Sequence, residues 1–383
     1  MTARRTTTVR GGTGPVAGQR EPHKADEAAG TGKPGVPQRA GRPGGLIRLG
    51  PVAVAIRPRL VVVALGLLAL TALASAATLS LGRLGIPLAE LGSALSGGAE
   101  GRDAFVLERL RGPRLVVALG TGCALGLSGA LFQSATRNPL GSPDVIGVAA
   151  GAGAGASTAA LFLTGTVPVP VGALVGAVLA MALVYVSTGT GFRNPGRLVV
   201  AGIGVAAICQ ATTQYVVYAM ERDNASALTA YINGSLSSRS WDDATTIGLV
   251  LLVALVPLAL LARPLGAGEM GDDIAQGLGA EPRRTKTGAV VLAIVLAAGA
   301  VAVAGPIAFI ALTAPQVAKR LTRLPGPHLL LSGLTGALLL VLADLCAQQL
   351  PLFENLPVGI YTMAIGGAYL GLLILGERRK GRL

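Results

Sequence analysis

Residues 111–155 read RGPRLVVALGTGCALGLSGALFQSATRNPLGSPDVIGVAAGAGAG, and the fold class follows from that stretch. Arg111 and Arg114 form a charged foot under an apolar run from Leu115 to Phe132. A polar corner comes next, Arg137-Asn138-Pro139-Leu140-Gly141-Ser142-Pro143-Asp144, and then a second apolar run in which Gly147, Gly151, Gly153 and Gly155 recur. A helix gains about 1.5 Å per residue and a hydrocarbon core is about 30 Å thick, so runs of this length are long enough to cross it. Proline disfavours helix in the residue before it, so the corner ends one span and starts another. The glycines make the second run a face for close helix packing.

Working outward, the whole chain is of this kind. It has 383 residues, 51% of them hydrophobic and 13% charged, with a mean hydropathy of +0.62. A soluble domain this apolar could not cover its surface. Ten spans are expected: Leu60–Leu79, Leu115–Phe132, Val145–Leu163, Val167–Val186, Leu198–Met220, Thr245–Leu261, Thr287–Ala304, Ile307–Leu321, Leu329–Ala347 and Val358–Leu375. The expected architecture is an all-α polytopic membrane protein. The eighth span opens at Gly305-Pro306 and carries Pro315, which predicts a broken or partly re-entrant segment, tolerated only where protein or a cavity surrounds it.

Residues 1–56 are basic, rich in Gly and Pro and without hydrophobic period, and read as a disordered cytoplasmic tail; residues 57–383 form the transmembrane domain. Gly30-Thr31-Gly32-Lys33 misses the phosphate-loop pattern, because Pro34 stands where Ser or Thr must reach magnesium. The net charge of +13 sits in tails and loops with no nucleic-acid motif, and the excess of cations in inner loops of membrane proteins accounts for most of it. Cys123, Cys209 and Cys346 lie singly in different apolar runs, and His23 and His328 have no neighbouring ligands, so no metal or cofactor is expected.

An even span count puts both termini on one side, and the basic tail with Arg378-Arg379-Lys380-Arg382 makes that side cytoplasmic. Arg193/Arg197, Arg283/Arg284/Lys286 and Lys319/Arg320/Arg323 then also lie inside. One loop disobeys: Arg83, Arg102, Arg109, Arg111 and Arg114 fall outside, which suits a docking surface for an acidic partner. The longest hydrophilic stretch after the tail lies within 264–286, where Glu269, Asp272 and Asp273 precede a short helical pattern closed by Gly279 and Pro282. Asp344 is the clearest acid inside a span and is a functional candidate by default.

The order R-x-x-R from Arg111, S-G-A-L-F-Q from Ser128, and R-N-P-L-x-x-P-D-x-x-G-V from Arg137 resembles the FecCD-type permeases, the iron-chelate and cobalamin permeases of bacterial ATP-driven importers. Gly305-Pro306-Ile307-Ala308-Phe309, Ala314-Pro315-Gln316 and Leu356-Pro357-Val358-Gly359 extend the likeness, which covers roughly Arg111 to Leu375. Gln316 stands where many members have His, Lys319 where many have Arg, and Gln348 where Arg is frequent. The Ala-Pro-Gln variant resembles the ferric enterobactin-type branch.

The resemblance implies a type II ABC importer permease fold and no catalysis by this chain itself. It implies, as partners, an ATP-binding cassette ATPase dimer, a second permease subunit (the same or a paralogue), an extracytoplasmic siderophore-binding protein and the lipid bilayer. By the same resemblance, Arg111 and Arg114 receive acidic residues of the binding protein, and Gly271, Asp272, Asp273, Ala275, Leu278 and Gly279 form the loop that seats in the ATPase. Gln133, Asn138, Pro139, Gly305, Pro306, Pro315, Gln316 and Asp344 are pathway or gate candidates. The expected function is import of a ferric siderophore across the cytoplasmic membrane. The alternatives are a ten-span ion-coupled secondary transporter, for which Asp344 would be the titrating group, and the same permease class carrying cobalamin or haem.

Overall fold

The computed structural model describes residues 46–49, 52–55, 58–189, 195–220, 228–350 and 356–379. The expected tail, apart from residues 46–49 and 52–55, and also Arg193, Lys380 and Arg382, lie outside the described residues. Leu46–Leu49 and Val52–Ala55 pair as an antiparallel hairpin with Leu46 opposite Ala55. The remaining elements are helical: α1 Pro58–Ser80, α2 Leu88–Ser93, α3 Gly101–Phe105, α4 Gly112–Thr136, α5 Val148–Phe162, α6 Val169–Ser187, α7 Pro195–Ala219, α8 Trp241–Gly268, α9 Asp272–Gly277, α10 Pro282–Ala304, α11 Ile310–Thr322, α12 Leu329–Gln349 and α13 Val358–Arg379.

Each of the ten expected apolar runs holds a helix. Among the described residues seven of these helices, α1, α4, α6, α7, α8, α10 and α12, are long and apolar enough to cross a membrane. Two others are shorter, each for a local reason. Pro143 starts a 3-10 turn and Gly147 takes φ 95°, so α5 begins only at Val148 and has 15 residues. α11 has 13 residues, about 20 Å at 1.5 Å each, because the chain leaves α10 at Gly305 and stays non-helical to Phe309. That matches the expected broken eighth span. α13 runs 22 residues from Val358 to Arg379 and holds the whole of the expected Val358–Leu375. In the other direction, α8 runs from Trp241 to Gly268, past the expected Thr245–Leu261, because Ser240 and Asp243 close a capping box at its start.

Burial orders the bundle. In α4 and α10, 78% of the apolar window is buried, against 11% in α1 and 17% in α7. The first pair is therefore the centre, and the outer helices present apolar faces such as Val62, Leu65 and Leu73 of α1, as a lipid solvent requires. Helices approach closely where Cβ atoms are missing. A methyl at Gly155 would overlap the carbonyl oxygen of Gly172, and one at Gly176 would overlap that of Gly151, which seals α5 against α6. On α4 the faces at Gly122, Gly126 and Gly129 meet the backbones of Gly336, Ser332 and Ala311, so α11 and α12 pack directly on the central helix.

The helices run so that two polar ends form. The start of α4, the finish of α1 and α10, and the finish of α12 share one end, joined by Arg111 to Thr78 and Leu79 and by Arg114 to Asp344. The finish of α4, the finish of α8, all of α9 and the start of α10 share the other, joined by Arg137 and Lys286 to Asp272.

Candidate functional site

The first end is a basin of about 740 Å³ whose lining includes Arg83, Arg109, Arg111, Arg114, Arg239 and Gln348. Two of its expected docking arginines are already fastened inside the chain. Arg111 Nη1 donates to the carbonyls of Thr78 (2.7 Å), Leu79 (3.1 Å) and Leu81 (2.6 Å), satisfying the orphan acceptors that end α1. Arg114 donates through Nε to Asp344 Oδ1 (3.0 Å) and Oδ2 (3.1 Å) and through Nη2 to Oδ1 (2.7 Å). Gln348 Nε2 adds a donor to Oδ2 at 2.6 Å. Asp344 is 1% exposed and Arg114 22%, so a buried carboxylate holds a guanidinium at the basin floor. For Arg83 and Arg109 no ion pair or side-chain hydrogen bond occurs among the described residues, and both are exposed.

Sequence reasoning did not single out Arg239. Its Nη1 donates to the Val303 carbonyl at 2.6 Å, Tyr231 Oη donates to Val301 and Ala302, and Ser235 N donates to Ala304, so one loop caps the whole finish of α10. Gly305, at φ 73°, lets the chain turn away beneath it, since a Cβ there would overlap the Tyr231 carbonyl. Gly305 and Pro306 thus serve this corner, and Asp344 serves the basin; neither lies with the other gate candidates.

Those others do meet, at the opposite end. Arg137 closes α4 in the left-handed region, φ 51°. Asn138 Oδ1 accepts from Leu140 N at 2.9 Å and holds the corner turn. Gln316 Nε2 donates to Gln133 Oε1 (2.6 Å) and to the Pro139 carbonyl (3.0 Å), while Gln133 Nε2 donates to the Leu312 carbonyl (3.0 Å). Pro315 lies inside α11 and supplies no N–H to the Ala311 carbonyl, which rests on Gly129 instead. Asp144, present in the sequence only as part of a motif, is a half-buried residue whose carboxyl accepts from Ser142 Oγ (3.2 Å); desolvation pushes it up to about 6.

Beside this corner stands α9. Gly271, at φ 117°, turns the chain into it and Gly279, at φ 81°, turns it out. Ala275 is buried, whereas Ile274 and Leu278 are 52% and 65% exposed, an apolar face standing off the bundle end. Asp272 points inward: Arg137 Nη2 bonds its Oδ1 and the Gly268 carbonyl, and Lys286 Nζ bonds its Oδ2 at 2.7 Å. The Lys286 hydrogen bond, reinforced by the Arg137 and Lys286 charges, holds the Asp272 carboxyl below the usual carboxylate range. Asp273 is exposed beside it. Lys319 of α11 approaches Glu269 at 3.8 Å. Among the described residues no three His, Cys, Asp or Glu side chains group as metal ligands would.

A bundle of this kind, with two polar ends and largely apolar helices between them, is a polytopic membrane protein. Residues 67–376 match the model of the FecCD transport family, and the chain belongs to that family. It is 37% identical over 300 residues to the ferric enterobactin transport system permease protein FepG of Escherichia coli (strain K12), covering 78% of this chain and 91% of that one. It is 34% identical over 307 residues to the achromobactin transport system permease protein CbrC of Dickeya dadantii (strain 3937), covering 79% and 88%. Its fold matches, at a TM-score of 0.73 and 23% identity, a solved chain assigned to the metal-chelate type of ABC transporter in an inward-facing conformation; 84% of this chain and 100% of that one are covered.

Proposed function

We propose that this chain is the membrane-spanning subunit of an ATP-driven importer that passes ferric siderophore across the cytoplasmic membrane. The carrying observation is the pair of ends. One end is an arginine basin suited to carboxylates, and the other presents a short helix with exposed Ile274 and Leu278. On this reading ATP is hydrolysed by a separate ATPase dimer whose groove takes α9, through Gly271, Asp272, Asp273, Ala275, Leu278 and Gly279. A second permease subunit completes the path. The end with α9 is cytoplasmic, since Arg137, Arg283, Arg284, Lys286, Lys319, Arg320 and Arg323 belong to it, as do the start of α1 and the finish of α13. The siderophore cargo is supported by the names of the two relatives and by the Ala314-Pro315-Gln316 variant.

The basin is the dock for an acidic extracytoplasmic binding protein. Internal bonds hold Arg111 and Arg114 in fixed orientation, leaving Arg111 Nη2 and Arg114 Nη1 for a partner, and Arg83 and Arg109 surround them with unpaired charge. Reversing Arg114 would set a new carboxylate against Asp344 and damage the bundle, so the test uses Arg83→Glu with Arg109→Glu. The binding protein should then dock to the permease in nanodiscs about tenfold or more weakly, with a shallower salt dependence, at unchanged thermal stability. Unchanged affinity would remove the docking role.

A further inference from the structure

The corner at 137–141 is fastened on two flanks, and both fastenings pass through neighbouring residues. On one flank Arg137 ties it to Asp272, the first residue of α9, and to the Gly268 carbonyl just before it. On the other flank the Pro139 carbonyl accepts from Gln316 of α11. The same Gln316 nitrogen reaches Gln133, one turn back on α4, and Gln133 returns a bond to the Leu312 carbonyl. We infer that Gln133 and Gln316 form an amide catch between α4 and α11, and that displacement of α9 releases it by pulling the corner through Arg137. The inference rests on the proposed importer function and adds how its ATP-driven step reaches the path.

Three features favour a catch over ordinary packing. Both N–H groups of Gln316 and both ends of the Gln133 amide have partners, so the pair has one consistent orientation and disengages as a unit. A neutral histidine at 316 has one N–H and could not replace both bonds from one nitrogen. Arg137 ends α4 in the left-handed region, φ 51°, with the cap bond on the Gln133 carbonyl, so the residue that α9 holds is the one that stops the helix carrying Gln133. Finally, α11 is not one rigid rod with α10, since its approach from Gly305 to Phe309 is non-helical and Pro315 interrupts its ladder.

Gln133 and Gln316 are positioning residues on this account, and the test reads coupling as well as stability. In the full importer with its ATPase and binding protein, Gln316→Leu should raise basal ATP hydrolysis about threefold to tenfold, the factor set by one or two neutral hydrogen bonds, and lower chelate imported per ATP. Melting temperature should fall only modestly, by the loss of a donor to the buried Gln133 Oε1, and binding-protein affinity should hold. Arg137→Ala should act through the same catch, so that the double variant is no worse than the more severe single one. Wild-type coupling in Gln316→Leu, or strict additivity with Arg137→Ala, would overturn the inference.

A second measurement does not depend on cargo. With Cys123, Cys209 and Cys346 replaced by alanine, spin labels at the exposed Leu140 and Leu321 should separate on ATP binding, and should already sit apart in Gln316→Leu without nucleotide. An unchanged distance in the wild type would refute the catch. A nucleotide-driven change without import of any ferric chelate would leave the catch standing and refute the proposed cargo.

Discussion

Replacing Asp344 with alanine is expected to lower the stability of the solubilised protein by about 3–5 kcal/mol, the usual consequence of leaving one member of a buried ion pair alone. Arg114 would lose all three of its hydrogen bonds to the carboxylate, and Gln348 its acceptor. Removing both charges together, as Arg114→Met with Asp344→Leu, should restore much of the loss, because a well-packed apolar pair of similar volume avoids the desolvation of two ions. Thermal unfolding in detergent or nanodiscs checks both. A melting temperature for Asp344→Ala equal to that of the wild type would mean that the pair does not tie α4 to α12.

The second large effect is expected at the opposite end. Asp272→Lys would place a third cation between Arg137 and Lys286, which now share its carboxylate. The start of α9 would be expelled from the corner while its exposed apolar face stayed intact. Transport should fall by roughly tenfold or more, since several like charges at contact distance cost more than the 1.4 kcal/mol that a factor of ten represents, with ATP hydrolysis continuing. Asp273→Lys, on an exposed neighbour with no partner among the described residues, should leave the corner intact, so any loss of transport there reports the contact with the ATPase alone. Equal import by the Asp272→Lys and wild-type complexes would refute the role of α9 in coupling.

Much of this architecture is legible in the sequence because a bilayer imposes a length and a polarity on every segment. Leu115–Phe132 and Thr287–Ala304 stand out on that ground, and Gly305-Pro306 with Pro315 marks a span whose helix is broken. The glycines of α5 announce close packing, though not that α6 answers with Gly172 and Gly176. What composition and period do not carry is pairing between distant elements. Arg114 and Asp344 lie 230 positions apart, and nothing in either local pattern names the other. For the same reason Arg111 reads as an outer docking charge, although it closes the end of α1, and Asp272 reads as an acid at the start of a short loop helix, with no sign that Arg137 and Lys286 hold it. The corner is the intermediate case. Gln133, Asn138, Pro139 and Gln316 are visible as candidates, but their bonds depend on α11 folding back over α4.

The central claim is that this chain forms the path of an importer whose ATPase and cargo-binding parts are other molecules. Uptake of radio-iron as a ferric siderophore into proteoliposomes tests it most directly. The chain alone should accumulate none; with its ATPase inside and its binding protein outside, accumulation should depend on ATP. Uphill uptake by the chain alone would contradict the account.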